Sequence, residues 1–298
     1  MTQVVNFISQ PNPGTATGKA LNPSSAQAQP GALGRGQQAS TGLTTFNQFW
    51  NYCTPLLGAY IADTYLGRYK AICIGILCAI MGHVILVASA APSVIAKPNS
   101  ALGAFAIGIV VMGFGTGFFK PNISPLVAEQ IPKEKMYIKT LKSGERVIVD
   151  PAVTISRVYN WFYLFINIGA LIGQITMVYA ERYVGFYLAY LLPTALYCAA
   201  PIIMFVCRNM YKRTPPEGSV LGPATKLLWT ATKGRWHLNP VATYKHMHDG
   251  TFWDSVKPSR VQGPRPSWMT FDDAWVDEVR RGWKACSVFL WVRILFST

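Results

Sequence analysis

Five stretches of the chain run without a charged side chain for long enough to cross a lipid hydrocarbon core, which takes about 20 helical residues. They cover roughly 45–62, 71–91, 101–119, 158–180 and 183–207. Each predicts a transmembrane helix, and together they predict an all-α, multi-pass membrane fold. The first is the weakest, because Asn47, Gln48 and Asn51 crowd its start and make it amphipathic. A sixth apolar stretch begins at Trp283 but meets Arg293 and stops at Thr298, which makes it the start of a truncated helix over 283–298.

The segments around these stretches complete the predicted organisation. Residues 1–45 are rich in Gly, Pro, Ser, Gln and Ala, with only Lys19 and Arg35 charged. Such a segment buries too little apolar surface to fold by itself and predicts a disordered, extracellular tail. Its start, MTQVVNFISQPNP, has neither a basic n-region nor a long apolar h-region, so no secretory signal is visible. Residues 46–207 hold the five helices, with LKSGERVIVDP predicting a short hairpin around Ser143 and Gly144. Residues 208–282 carry Trp229, Trp236, Trp253, Trp268 and Trp275 among basic residues. That pattern predicts a cytoplasmic loop of short amphipathic helices lying on the inner membrane interface. Thr270 with Asp273 three residues on suits a helix start there, with Arg280 and Arg281 at the favourable end of the dipole.

Composition supports lipid as the solvent: 13% of residues are charged, against about 25% in an average soluble domain. The net charge of +14 raises nucleic acid as a partner, and the positions of the basic residues argue against it. When the five helices alternate across a bilayer, Lys19, Arg35, Lys97 and Arg182 fall on one side, and Lys120 and Arg293 interrupt apolar runs. Every other Lys and Arg falls on the opposite side, which should be cytoplasmic. Topology therefore accounts for the basic charge, and no nucleic-acid partner is expected. An outside tail without a signal also hints at a helix before Thr45. The six cysteines lie in or beside apolar segments without a CxxC pair and read as small hydrophobes.

Against this apolar background, a few polar residues stand out. At about 1.5 Å per helical residue, Tyr52 lies about 16 Å from Asp63, while His83 and Asn167 lie about 18 and 14 Å from the inner face. Lys120 lies about 14 Å in if its helix runs on to Glu129, and near the inner edge if Pro121 ends it. An intramembrane cation is by default a functional candidate, but a lysine can also snorkel to the interface, and both readings stay open for Lys120. Asn167 reads equally as interhelical glue and His83 as a satisfied core histidine. Asp63, Gly67 and Arg68 form a turn on the basic side, either a charge network that locks neighbouring helices or an ordinary polar loop. Gly113 with Gly117, and Gly169 with Gly173, are spaced for close helix packing. His246 and His248 in a basic loop do not make a metal site, and no nucleophile set or phosphate loop is present, so no enzyme is expected.

Three blocks, GAYIADTYLGRYK (58–70), GFGTGFFKPNISPLVAEQ (113–130) and FYLFINIGALIGQ (162–174), resemble the proton-dependent oligopeptide transporter family, a branch of the major facilitator superfamily, and particularly its fungal di- and tripeptide members. The resemblance implies a partial superfamily fold: most of the N-terminal six-helix bundle, with the first helix missing. It implies that Lys120, Tyr52 and Asn167 line the peptide site, and that Asp63, Gly67 and Arg68 match the superfamily's conformational loop. It implies no cofactor beyond protons as coupling ion, small peptides and the lipid bilayer as partners, and residence in the plasma membrane. The family's ExxER motif does not precede Thr45, and WVRILFST diverges where the seventh helix should continue.

The expectation is therefore a fragment of a proton-coupled di/tripeptide transporter, unable to transport as it stands, with the missing transporter half or a full-length relative as a further partner. The alternatives are a non-transporting membrane protein that binds or regulates a full-length relative, and a family member for another substrate such as nitrate.

Overall fold

A computed structural model describes residues 2–295 apart from 26, 132–135, 217, 236–242, 244, 245, 247–249, 261–265 and 267. Trp236 and His248, both noted above, lie outside the described residues. The chain divides into two compact units, Met1–Gly218 and Ser219–Thr298, each considered by itself.

The first unit starts with α1 (Thr2–Ser9) and α2 (Gly36–Ile61), the latter continued by a π-helical turn over Ala62–Leu66. There follow α3 (Arg68–Ser89), the short α4 (Pro92–Ile95) and α5 (Pro98–Glu129). An antiparallel hairpin of β1 (Tyr137–Thr140) and β2 (Arg146–Val149) comes next, as expected around Ser143 and Gly144. The unit ends with α6 (Pro151–Tyr183), α7 (Phe186–Tyr197) and α8 (Ala199–Val206). Asp150 caps α6 by accepting from the Ala152 amide at 2.8 Å, with Pro151 at the first helical position where its missing N–H costs nothing.

Among the described residues, four stretches are long and apolar enough to cross a membrane: Arg68–Ser89, Pro98–Glu129, Pro151–Tyr183 and the α7–α8 pair, Phe186–Val206. The fifth expected span falls within α2, which has the length but is diluted by Asn47, Gln48 and Asn51. The helix forms nonetheless, because its packing face meets α5. At 33 residues α6 is about 50 Å long, well beyond the roughly 30 Å hydrocarbon core.

α5 lies between α2 and α3, and glycines set both contacts. A Cβ on Gly115 would sit 2.4 Å from the Ala79 amide nitrogen of α3, and one on Gly82 would sit 2.6 Å from that of Met112. Helices in lipid gain nothing from hydrophobic exclusion, so this backbone proximity is what dispersion contacts require.

The tail expected to be disordered is ordered, which corrects the reading of 1–45. Phe7 and Ile8 of α1 are fully buried, and α2 begins at Gly36. The Phe7 ring packs 5.2 Å from Phe105, 5.1 Å from Phe186 and 5.7 Å from Tyr190. Its carbonyl accepts from the Leu33 amide at 2.9 Å, and Asn6 donates to Glu181 at 2.8 Å. The segment cannot fold alone, but α5 and α7 supply the apolar surface that its own composition lacks.

The second unit contains α9 (Leu221–Thr232), a 3-10 turn at Asp254–Val256 and α10 (Asp273–Leu295). Leu227, Ala231, Val256 and Val276 form its core. The helix start expected at Thr270 is instead capped by Asp272, whose carboxylate accepts from the Trp275 amide at 2.9 Å. α10 joins the expected polar helix and the apolar stretch after Trp283 into one element.

Candidate functional site

The α2–α5 seam carries two of the candidate residues. The two helices run parallel: Trp50 donates to the Val110 carbonyl at 3.0 Å, Thr54 to the Gly113 carbonyl at 2.9 Å, and Gly58 abuts Gly117. Thr116 donates to Asn51 at 2.8 Å, and Asn51 in turn donates to Asn47 at 2.9 Å, a polar ladder inside an apolar seam. The spacing of small residues at 113 and 117 is thus used, with Trp50 seated on Gly113 and Thr54 on Gly117.

Despite Pro121 and Pro125, α5 continues to Glu129, so Lys120 lies inside the helix rather than at its end. It is exposed, as is Tyr52. By the register of the seam the two are about eight residues apart along the axis, with Lys120 roughly 12 Å closer to the inner end. Helical backbone continues past Asp63 through Leu66, and Arg68 is the residue level with Glu129.

Asn167 lies on α6, exposed, with its amide donating to the Tyr163 carbonyl of its own helix at 2.8 Å. α6 is tied to α5 where the Tyr159 hydroxyl donates to the Ser124 carbonyl at 3.0 Å. Counting from that bond, Asn167 falls about 6 Å outward of Lys120, between it and Tyr52. The apolar stretch of α6 has no buried residue, and a Cβ on Gly169 or Gly173 would meet nothing within 4 Å, because both glycines border a cavity of about 290 Å³ shared with Leu192, Pro193, Leu196 and Tyr197 of α7. The structure therefore joins α2 to α5, while the glycine face of α6 borders an unfilled cavity beside α7 and α8. His83 lies outside the group, its ring 5.7 Å from that of Tyr197 on α7.

At the inner ends, Arg68 pairs with Glu129 of α5 and lies 3.8 Å from Asp63. Gly67 between them has φ +75°, a conformation that favours glycine. The charge network read from the turn is thus present among the described residues, and it includes an acid that the turn itself does not show. Glu129 ends an apolar helix, and nothing local to it signals the pairing with a residue 61 positions away.

A strap after α8 covers this cluster. Gln130 exchanges two bonds with the Lys212 backbone, at 2.8 and 3.2 Å, and the Gly218 amide donates to the Asp63 carbonyl at 3.0 Å. The Arg213 guanidinium lies 4.2 Å over the Tyr69 ring, and the Tyr69 hydroxyl donates to the Met204 carbonyl at 2.7 Å. Burial raises the pKa of the Tyr211 hydroxyl beside them.

Residues 69–298 match the model of the POT family. The chain belongs to the POT family. The peptide transporter PTR2 of Candida albicans is 36% identical over 283 residues, covering 92% of this chain and 44% of the relative. The peptide transporter PTR_B of Candidozyma auris is 42% identical over 259 residues, covering 87% and 41%. The in meso crystal structure of the POT family transporter PepTSo matches with a TM-score of 0.56 at 19% identity, covering 81% of this chain and 48% of that one. At that identity the likeness concerns the fold alone, a predominantly helical arrangement. This POT chain is an integral membrane protein, and it spans less than half the length of the curated relatives it matches.

Proposed function

We propose that the chain supplies one helix bundle of a proton-coupled di- or tripeptide transporter of the plasma membrane, with Lys120, Tyr52 and Asn167 on the substrate cavity. The observation that carries this reading is Lys120 within an unbroken α5, a helix long and apolar enough to cross a membrane, in a chain whose relatives include named peptide transporters. In a water-filled cavity of low dielectric, its ammonium attracts a peptide carboxylate strongly. The three side chains are spread over roughly 12 Å along the helix axes, close to the 10–11 Å of an extended tripeptide. Lys120 would take the carboxylate end, with Asn167 and Tyr52 along the backbone. Asp63, Gly67, Arg68 and Glu129 would hold the inner ends of α2, α3 and α5 together in one state and release them in another.

The test is peptide binding to the purified chain reconstituted in nanodiscs, read by titration calorimetry. A dipeptide is expected to bind and nitrate is not; nitrate binding without peptide binding would overturn the substrate class. Alternating access needs two bundles rocking about the site between them. The reconstituted chain alone is therefore expected not to concentrate dipeptide in liposomes under an inward proton gradient, and concentrative uptake would refute that.

A second reading is favoured by α6, whose apolar stretch has no buried residue and whose Gly169 and Gly173 border an unfilled cavity beside α7. That face suits another helix, supplied by the remaining part of a transporter or by a full-length relative which the chain binds or regulates. Co-purification of the chain with a full-length relative, lost in G169L/G173L, is the expected outcome under this reading.

A further inference from the structure

The second unit contains a groove of about 780 Å³ at the junction of α9, the segment before the 3-10 turn, and α10. Its walls are aromatic: Trp229, Phe252, Trp253 and Trp283, with Arg280 and Lys284 at the α10 side. Trp229 is 75% exposed and Trp283 55% exposed, although both are large enough to complete a core. The core itself closes without them, through Leu227, Ala231, Val256 and Val276, so they are held outward by a folded scaffold.

α10 sets the level of this groove relative to lipid. Its first part is polar, with Asp273, Asp277, Glu278, Arg280 and Arg281, and from Ala285 it turns apolar as ACSVFLWV before Arg293. Trp283 and Lys284 stand at that change, and Trp with Lys is the residue pair that anchors helices at the membrane–water interface. Lys257 bonds Asp254 at 3.3 Å and Asp277 at 3.1 Å, and Arg260 bonds Asp254 at 3.2 Å. The groove therefore combines an apolar aromatic wall, two cations one helical turn apart, and a position where headgroups lie.

The geometry points to a binding groove for an anionic phospholipid of the inner leaflet, its phosphate held by Arg280 and Lys284 and its glycerol and upper acyl carbons laid against Trp229, Trp253 and Trp283. Two cations on adjacent turns present donors that a phosphodiester can bridge, and Arg binds it in a planar fork. Each such cation near an anionic leaflet changes the preference for anionic over zwitterionic lipid by about fivefold. The leaflet follows from the side on which the basic loops lie.

The test uses the whole chain in nanodiscs of phosphatidylcholine with one lipid in five replaced by phosphatidylserine, and reads tryptophan quenching by lipid brominated near the headgroup. Brominated phosphatidylserine is expected to quench more strongly than brominated phosphatidylcholine at equal fraction. R280Q/K284Q is expected to lose most of that excess, R280K/K284R to keep it, and W229F/W283F to lose it through removal of the reporters. Equal quenching of the wild-type chain by the two lipids, which needs no variant to fold, would overturn the proposal. So would an excess that R280Q/K284Q leaves intact. A response to inositol hexakisphosphate in pure phosphatidylcholine, with no excess quenching by the serine lipid, would assign the groove to a soluble phosphate and overturn it equally.

Discussion

Gly58 of α2 lies against the backbone carbonyl of Gly117 on α5, the acceptor to which residue 121 would donate if it were not proline. A side chain at Gly58 would begin 2.1 Å from that oxygen. G58A is therefore expected to part the two helices and lower stability by about 1–3 kcal/mol, the usual penalty of overpacking. The control is G169A, where the added carbon meets nothing within 4 Å. Thermal unfolding of the detergent-solubilised chain should show a lowered Tm for G58A and an unchanged one for G169A; equal shifts would mean that the seam is looser than described.

Phe7 offers a test of the ordered N-terminus. Truncation to alanine removes a ring packed on Phe105, Phe186 and Tyr190, and a buried Phe→Ala change costs about 3–5 kcal/mol. F7A should release residues 1–35 to limited proteolysis while α2–α5 remain protected. Equal cleavage of the wild-type chain and F7A would restore the reading of a loose tail.

Arg68 holds Glu129, whose side chain is 9% exposed, while Arg68 itself is 35% exposed. R68Q leaves that acid without its cation and is expected to destabilise the chain by about 1–2 kcal/mol, the lower range for charged hydrogen bonds because the arginine is partly solvated. R68E/E129R should recover part of the loss. A double-mutant cycle on unfolding with zero coupling between positions 68 and 129 would remove the pair from the account.

K120Q should weaken dipeptide binding about 10- to 100-fold, the worth of one charge-assisted hydrogen bond. Amidating the peptide's carboxyl terminus should cost the wild-type chain a similar factor and K120Q almost nothing. If amidation weakens both equally, Lys120 does not meet the carboxylate.

Hydrogen bonds from Lys257 to Asp277 and Asp254 raise its pKa above the ordinary lysine value. A raised lysine pKa stabilises the fold fully below the unfolded value of about 10.4 and loses that contribution as pH rises through the folded value. The second unit should therefore lose this contribution in strongly alkaline solution. Intrinsic fluorescence followed upward from pH 9 should show this in the wild-type chain and a flatter response in K257M.

The helices of the first unit were legible wherever composition alone decides, as in α3, α5 and α7–α8. α2 was legible only in outline, because Asn47 and Asn51 dilute its hydropathy while serving a cross-helix ladder to Thr116. The order of residues 2–35 was not legible, since its cause lies in Phe105, Phe186 and Tyr190, far along the chain. At the candidate site, the helix that could have ended at Pro121 runs on to Glu129, so the count of nine residues from Glu129 to Lys120 lies within one helix. The π-helical turn after Ile61, which carries helical backbone past Asp63, is not visible in residue spacing. Glu129 was missed for the same kind of reason: its partner is brought to it by the packing of α3 on α5.

The strap from Lys212 to Gly218 holds the inner ends mainly through main-chain groups: the Lys212 amide and carbonyl and the Gly218 amide. Main-chain bonds do not depend on which side chains the strap carries. Apart from Arg213, which lies over the Tyr69 ring, substitutions along it should be inherited freely, whereas exchanges at Gln130, Gly67 or Arg68 should not. Any motion that parts α2 from α5 at this end must also peel the strap, so its length and tension, rather than its composition, would set how far the inner mouth can open.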